Sequence, residues 1–178
     1  MHGLFFEVRP KTGQMKHYFD HVAQLKPVLA GHTGLIYLER FVPCDDPEAL
    51  LSHQLWRDEA AIAGWRREPA HRKSQTAGRH VHFESYRIRV GPEVGRDAAP
   101  DAETSRLVVA IYGPKLPGVG RLHESVTVPG RFLTLADAAN HAEALRLVDL
   151  HASEGTAEAR LFSVSRDYTL TDRAQAPT

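Results

Sequence analysis

Residues 49–78 read ALLSHQLWRDEAAIAGWRREPAHRKSQTAG, and the order of elements in this stretch decides the fold. Ala49 to Trp56 is an apolar, nearly uncharged run of strand length. Asp58 follows as an N-cap, with Glu59 at the positive end of a helix that carries Ala61, Ile62, Trp65 and Ala70. Pro69 marks a break and the first turn of a new helical segment, and Gly78 ends it. Upstream, Gly34 to Val42 is a second strand rich in Ile36, Tyr37, Phe41 and Val42, turned by Pro43 to Pro47. Before it, Met15, Tyr18, Phe19, Val22, Leu25 and Leu29 recur at spacings of three and four, one buried stripe of a helix. Pro27 is expected to kink or shorten that helix, and Gly31 to stop it. Leu4 to Arg9 is a first strand, and His80 to Val90 a fourth, with Val81 and Phe83 alternating against His82 and Glu84. The order is βαββαβ, the ferredoxin-like plan: four antiparallel strands with both helices on one face.

Downstream, Gly91 to Ser105 (GPEVGRDAAPDAETS) has the composition of a linker. A second series begins with the strand Leu107 to Tyr112. Gly113 to Gly120 then holds three glycines and two prolines, which excludes the first helix of the plan. His123 to Val128 and Arg131 to Ala136 read as strands joined by Pro129-Gly130, Ala138 to Leu150 as a helix, and Ala159 to Leu170 as a last strand. A shift of 80 positions sets Leu55 on Leu135, Trp65 on Leu145, Arg66 on Arg146 and His71 on His151; two further residues bring Tyr86 beside Tyr168. The expected organisation is therefore an α+β protein of tandem ferredoxin-like halves forming an α+β barrel, the second half lacking its first helix. Its parts are residues 1–91, a linker 92–104, residues 105–171 and a frayed tail 172–178. A four-stranded sheet covered on one face needs a partner for the other. The halves are expected to supply it to each other as an internal pseudo-dimer, or a second copy supplies it in a homodimer.

Composition narrows the function. The 178 residues suffice for two small domains, and 42% hydrophobic with 25% charged residues is ordinary for a globular chain. Lysine plus arginine equals aspartate plus glutamate at 22 each, so nothing favours nucleic acid as a partner. No apolar run approaches the ~20 residues of a membrane span, and Met1 to Glu7 lacks the features of a signal peptide; the expected location is the cytoplasm. The single cysteine, Cys44, lies in a turn without an adjacent activating group. Gly-x-Ser-x-Gly and phosphate-loop motifs are absent. His17 and His21 sit four apart on a helix, and His80 and His82 are expected on one strand face. Neither pair has the carboxylate or cysteine company of a metal site, so no metal is expected.

The first half, about residues 3 to 92, resembles the antibiotic biosynthesis monooxygenase family. The residues that carry the likeness are Phe6-Glu7-Val8 with Gly13, Leu38-Glu39-Arg40-Phe41, Leu55-Trp56-Arg57-Asp58-Glu59-Ala60, Trp65, Ala70-His71-Arg72 and Gly78-Arg79. The resemblance implies a cavity between sheet and helices that holds either an aromatic polyketide, oxygenated without metal or flavin, or a haem that is degraded. It places the family's helix tryptophan at Trp65 and its helix-end histidine at His71. The family's pocket asparagine has no counterpart in the first half, because the chain's one asparagine is Asn140.

Cofactor-free oxygenation needs an electron-rich substrate deprotonated to an enolate or phenolate, and donors for the developing oxyanion. His71 is the candidate base, Trp65 a wall for an aromatic ligand, and Tyr37, Tyr86 and Arg87 candidate donors. Arg66, Arg67, Arg72, Lys73 and Arg79 form a basic helix face, either solvated or facing anionic groups of a ligand. The leading expectation is a monooxygenase of a small aromatic substrate, with dioxygen and no cofactor. Haem binding through His71 and a non-catalytic, stress-associated binding barrel are the alternatives.

Overall fold

The computed structural model describes residues 1–97, 106–116, 118–152 and 158–177, with the side chains of 150–152 excluded. Most of the expected linker, residues 98–104, lies outside this set. The first half runs β1 (His2–Pro10), α1 (Met15–Ala30), β2 (Leu35–Pro43), β3 (Leu50–Trp56), α2 (Glu59–Arg67), α3 (Pro69–Ala77) and β4 (Phe83–Pro92). The second runs β5 (Arg106–Gly113), β6 (Arg121–Ser125), β7 (Phe132–Ala138), α4 (His141–Ala152), β8 (Glu158–Val164) and β9 (Arg166–Thr169).

All nine strands join one antiparallel sheet in the order β8-β5-β7-β6-β2-β3-β1-β4-β9. Within each half the first strand lies between the third and fourth, and the second strand is outermost beside the third. The ferredoxin-like order is thus present twice, and no helix separates β5 from β6 among the described residues. The halves meet edge to edge where Phe41 of β2 pairs with Ser125 of β6. The opposite edges meet through the Glu93–Phe162 bridge and the Val94 amide donating to the Leu161 carbonyl at 2.8 Å, so the sheet curls into a nearly closed barrel. At this seam a Cβ built on Gly91 would fall 1.7 Å from the Ser163 carbonyl oxygen, a backbone approach that only glycine permits.

The inner faces fill the barrel. Phe5, Phe41, Leu51 and Leu55 of the first half pack with Val108, Ala110, Leu133, Leu135 and Phe162 of the second in one buried cluster. Each half thereby covers the face that its partner's helices leave bare. A polar group lies among them: the Glu39 carboxylate accepts from the Tyr37 hydroxyl at 2.5 Å, from Ser125 Oγ and from Arg131 at 3.1 Å. Leu55 and Leu135, equivalent by the 80-residue shift, both sit in this cluster, and Trp65 and Leu145 lie on α2 and α4.

Several expectations are corrected. Residues Gly78–His82 form a π-helical turn instead of the start of β4, so His80 and His82 share no strand face. Val81 is 55% exposed there, and nothing packs its β-branched side chain into a sheet. Helix α1 is not shortened by Pro27; the carbonyl that the proline leaves unpaired belongs to Ala23, on the exposed side of the helix and open to solvent. β6 stops at Ser125, whose Oγ accepts the amides of Thr127 and Val128 and turns the chain early. The last strand is split at Ser165: β8 pairs with β5, then β9 crosses to β4 and sets Tyr168 opposite Ile88. Tyr168 is therefore no repeat equivalent of Tyr86. The tail is tied down, with Ala176 packed against the first-half core, Arg173 donating to the Tyr86 hydroxyl, and the Pro177 carbonyl accepting from Arg66.

Candidate functional site

Alternation along the first-half strands separates two faces. Phe5, Tyr37, Phe41 and Leu51 point into the barrel, whereas Leu4, Phe6, Leu38, Ser52, Gln54 and Ile88 face the helices. Between that second face and α1, α2 and α3 lies a cavity of about 1230 Å³. It is larger than the ~300–1,000 Å³ usual for small-molecule sites.

Trp65 and His71 both line it. The Asp58 side chain caps α2 by accepting the Ala61 amide at 2.8 Å, which fixes the helix that carries Trp65 inward with Ile62. Pro69 then starts α3 at a new angle and sets His71 back against α2. The result is a stacked pair, with ring centroids 4.2 Å apart and planes 16° from parallel. His32 also meets Trp65, edge-on at 5.0 Å. His71 Nδ1 donates to the Trp65 carbonyl at 3.0 Å, leaving Nε2 as the acceptor. Burial pushes the His71 imidazole down to about 4, outweighing the carbonyl bond. The imidazole is therefore neutral at pH 7, and it is a much weaker base than a histidine tuned near neutrality.

Of the remaining sequence candidates, Tyr86 lines the cavity, and Tyr37 and Arg87 do not. Tyr37 points into the barrel toward Glu39 and Tyr112, where burial drives its hydroxyl far above the ordinary range. Arg87 makes a two-armed ion pair with Asp167, at 2.9 and 2.7 Å, on the barrel face of β4. Asn140 stays far from the site in the chain's second half: its Oδ1 caps α4 by accepting the Glu143 amide at 2.9 Å, while Glu143 accepts the Ala139 amide at 2.8 Å.

The cavity also contains groups that the sequence did not single out. Gln54 accepts from the Trp56 indole N–H at 2.9 Å and donates to Ser52 Oγ at 3.2 Å, so its carboxamide is oriented and keeps a second N–H. The available signal was a pair of polar residues, Ser52 and Gln54, at alternate positions of a strand whose only other polar residue is His53. Tyr168, Arg166 and Arg173 arrive from the C-terminal end of the chain, and no local pattern announces them. At the cavity's edge, the helix pair His17 and His21 noted in the sequence meets His82, whose ring centroid lies 5.5 Å from His17 and 5.4 Å from His21. Among the described residues no group of three potential ligands has the geometry to hold a metal ion.

Residues 1–77 match the family model described as antibiotic biosynthesis monooxygenase. The first half of the chain is thus similar to that family. Among the solved structures similar to the chain are a protein from Shewanella oneidensis, 21% identical, covering 50% of this chain and 86% of its own with a TM-score of 0.44, and an anthrone oxidase-like protein, 11% identical, covering 99% and 96% with a TM-score of 0.43. No curated protein sequence matches the chain significantly. The cavity between sheet and helices lies in the half of the chain that carries this match. No helix among the described residues is long and apolar enough to cross a membrane.

Proposed function

We propose that the protein oxygenates a small, electron-rich aromatic substrate in the first-half cavity, using dioxygen and neither metal nor flavin. The observation that carries this reading is the cavity itself, large and mainly apolar, with the Trp65–His71 pair in its wall and oriented donors at Gln54 and Tyr86. For a substrate with an acidic ring CH₂, a C–H proton leaves to a base and the electron pair stays in the ring system as an enolate. The enolate passes one electron to dioxygen, and the two radicals combine to a C–O–O⁻ peroxide. Loss of the remaining hydrogen with the outer oxygen gives a carbonyl and one water, so a CH₂ and O₂ become C=O and H₂O without an external reductant.

A neutral imidazole held at about 4 removes such a proton only when the resulting anion is strongly stabilised. Donors aimed at the enolate oxygen therefore matter more here than base strength. The Gln54 N–H offers the type of donor that an asparagine carboxamide supplies. Oxygen consumption with anthrone as substrate tests the reading. Turnover that is lost on Gln54→Leu supports it, and no oxygen uptake above the spontaneous rate rejects it.

One observation favours haem as a second reading. His71 Nδ1 is committed to a backbone carbonyl, the arrangement that orients an imidazole for metal ligation through Nε2. His71 would then hold the haem through Nε2, and the haem would supply oxygen activation. A Soret band that forms on adding haem and is lost in His71→Ala supports this reading, whereas an unchanged free-haem spectrum excludes it. A purely non-catalytic barrel calls for a filled, polar-poor cavity, which the open, donor-lined space does not resemble.

A further inference from the structure

Although the chain as a whole carries no net charge, one end of the cavity concentrates cations. Arg66 from α2, Arg79 from the π-helical turn, Arg166 from β9 and Arg173 from the tail all line it, together with the phenols of Tyr86 and Tyr168. All four arginines are half-buried. Arg166 alone has an acidic partner, Glu59 at 2.9 Å, and that carboxylate is half exposed. Among the described residues Arg66, Arg79 and Arg173 have no carboxylate within ion-pair distance; Arg66 and Arg173 donate only to the neutral Pro177 carbonyl and Tyr86 hydroxyl. The Nε atoms of Arg79 and Arg166 are buried without any hydrogen-bond partner. Arg66 is held below its ordinary range by burial and by the like charges of Arg166, Arg173 and Arg79, although Tyr168 works the other way.

Gathering like charges in a partly desolvated space with a single, half-exposed counter-charge is unfavourable, and buried donors left unpaired cost more still. An oxyanion removes both penalties at once. The donors here are guanidinium forks and phenol hydroxyls, with no glycine-rich loop of backbone amides, and planar forks match a carboxylate.

We propose that the ligand of this cavity is an aromatic acid, its ring body lying against the apolar wall near Trp65 and its carboxylate held by Arg66, Arg79, Arg166 and Arg173. This deepens the oxygenase reading by naming the substrate class. It also draws a use from the tail, because Arg173 completes the site and the Arg66–Pro177 contact holds the tail over it.

Binding of anthraquinone-2-carboxylate, measured without turnover by quenching of tryptophan fluorescence in the full chain, tests the proposal against the uncharged anthraquinone-2-carboxamide. At low salt the carboxylate is expected to bind about 10- to 100-fold more tightly than the amide, the range of one or two charge-assisted hydrogen bonds. In Arg66→Gln/Arg173→Gln the preference for the carboxylate over the amide falls to within about threefold. Arg173→Gln alone, a tail substitution that leaves the barrel core untouched, gives an intermediate loss and guards against misfolding of the double variant. Equal binding of acid and amide by the unmodified protein, failure of either to bind, or a preference retained in the double variant overturns the proposal. Failure to consume oxygen leaves this result standing, so the two readings fail separately.

Discussion

The imidazole of His71 lies flat on the indole of Trp65 and donates from Nδ1 to the carbonyl of that same residue. A single contact thus joins the start of α3 to the end of α2 across the Pro69 break, and it puts both rings in the cavity wall. It also explains why His71 stays neutral, because the stacking that positions the ring removes its water.

His71→Ala removes the stack and the donor to the Trp65 carbonyl together. Folding stability is expected to fall by about 1–2 kcal/mol, read as a lower urea midpoint. If the oxygenase reading holds, kcat/KM for anthrone falls about 100-fold. Trp65→Phe keeps an aromatic wall with less area, and a loss of less than tenfold is expected. A His71→Ala enzyme with unaltered kcat/KM would remove His71 from the chemistry.

Stability should depend on pH in a direction set by buried histidines, His71 and His53 among them. Burial pushes His71 down to about 4 and His53, stacked on Phe5 inside the barrel, down to about 3. An unfolded histidine titrates near ~6.5. Below that value the unfolded chain binds protons that the folded chain refuses, so stability falls as pH falls. The contribution is complete above pH 6.5 and is lost progressively down to about 4 for His71 and about 3 for His53. For His71 it is roughly 3 kcal/mol, at ~1.4 kcal/mol per unit. Urea midpoints between pH 8 and pH 4.5 should be level at first and drop below pH 6.5; a flat profile to pH 4.5 contradicts the burial of these rings.

Asn140→Ala is expected to cost about 1 kcal/mol by uncapping α4, while ligand binding and oxygen consumption stay unchanged. Thermal unfolding together with the anthraquinone binding assay separates the two effects. A large loss of binding would mean that the chain's one asparagine serves the site and does more than cap its helix.

Gly91→Ala tests barrel closure. The added Cβ would meet the Ser163 carbonyl at 1.7 Å, so β4 and β8 must move apart. A loss of about 3 kcal/mol or more is expected, the upper range for overpacking. Full-strength stability in this variant would show that the seam is loose.

The parts of the site legible in the sequence were those placed by local rules. Asp58 caps a helix, Pro69 restarts it, and three- and four-residue spacing turns Ile62 and Trp65 inward; the family resemblance pointed to Trp65 and His71, and both line the cavity. Tyr37 and Arg87 could not be assigned to a face. Both faces of this sheet are covered, one by helices and one by the other half, so the strands lack the polar alternation that marks an outer side. Arg166, Arg173 and Tyr168 were illegible for a different reason: β9 leaves its own half to pair with β4.

The amino-acid order by itself determined the ferredoxin-like plan, its repetition and the missing helix after β5, because caps, periodicity and runs of glycine and proline act within a few residues. Tertiary structure alone decided which strand face meets the cavity, that the tail closes over it, and that four arginines from distant positions share one end. Those outcomes depend on long-range pairing and burial, whose energies are settled only when the two halves meet.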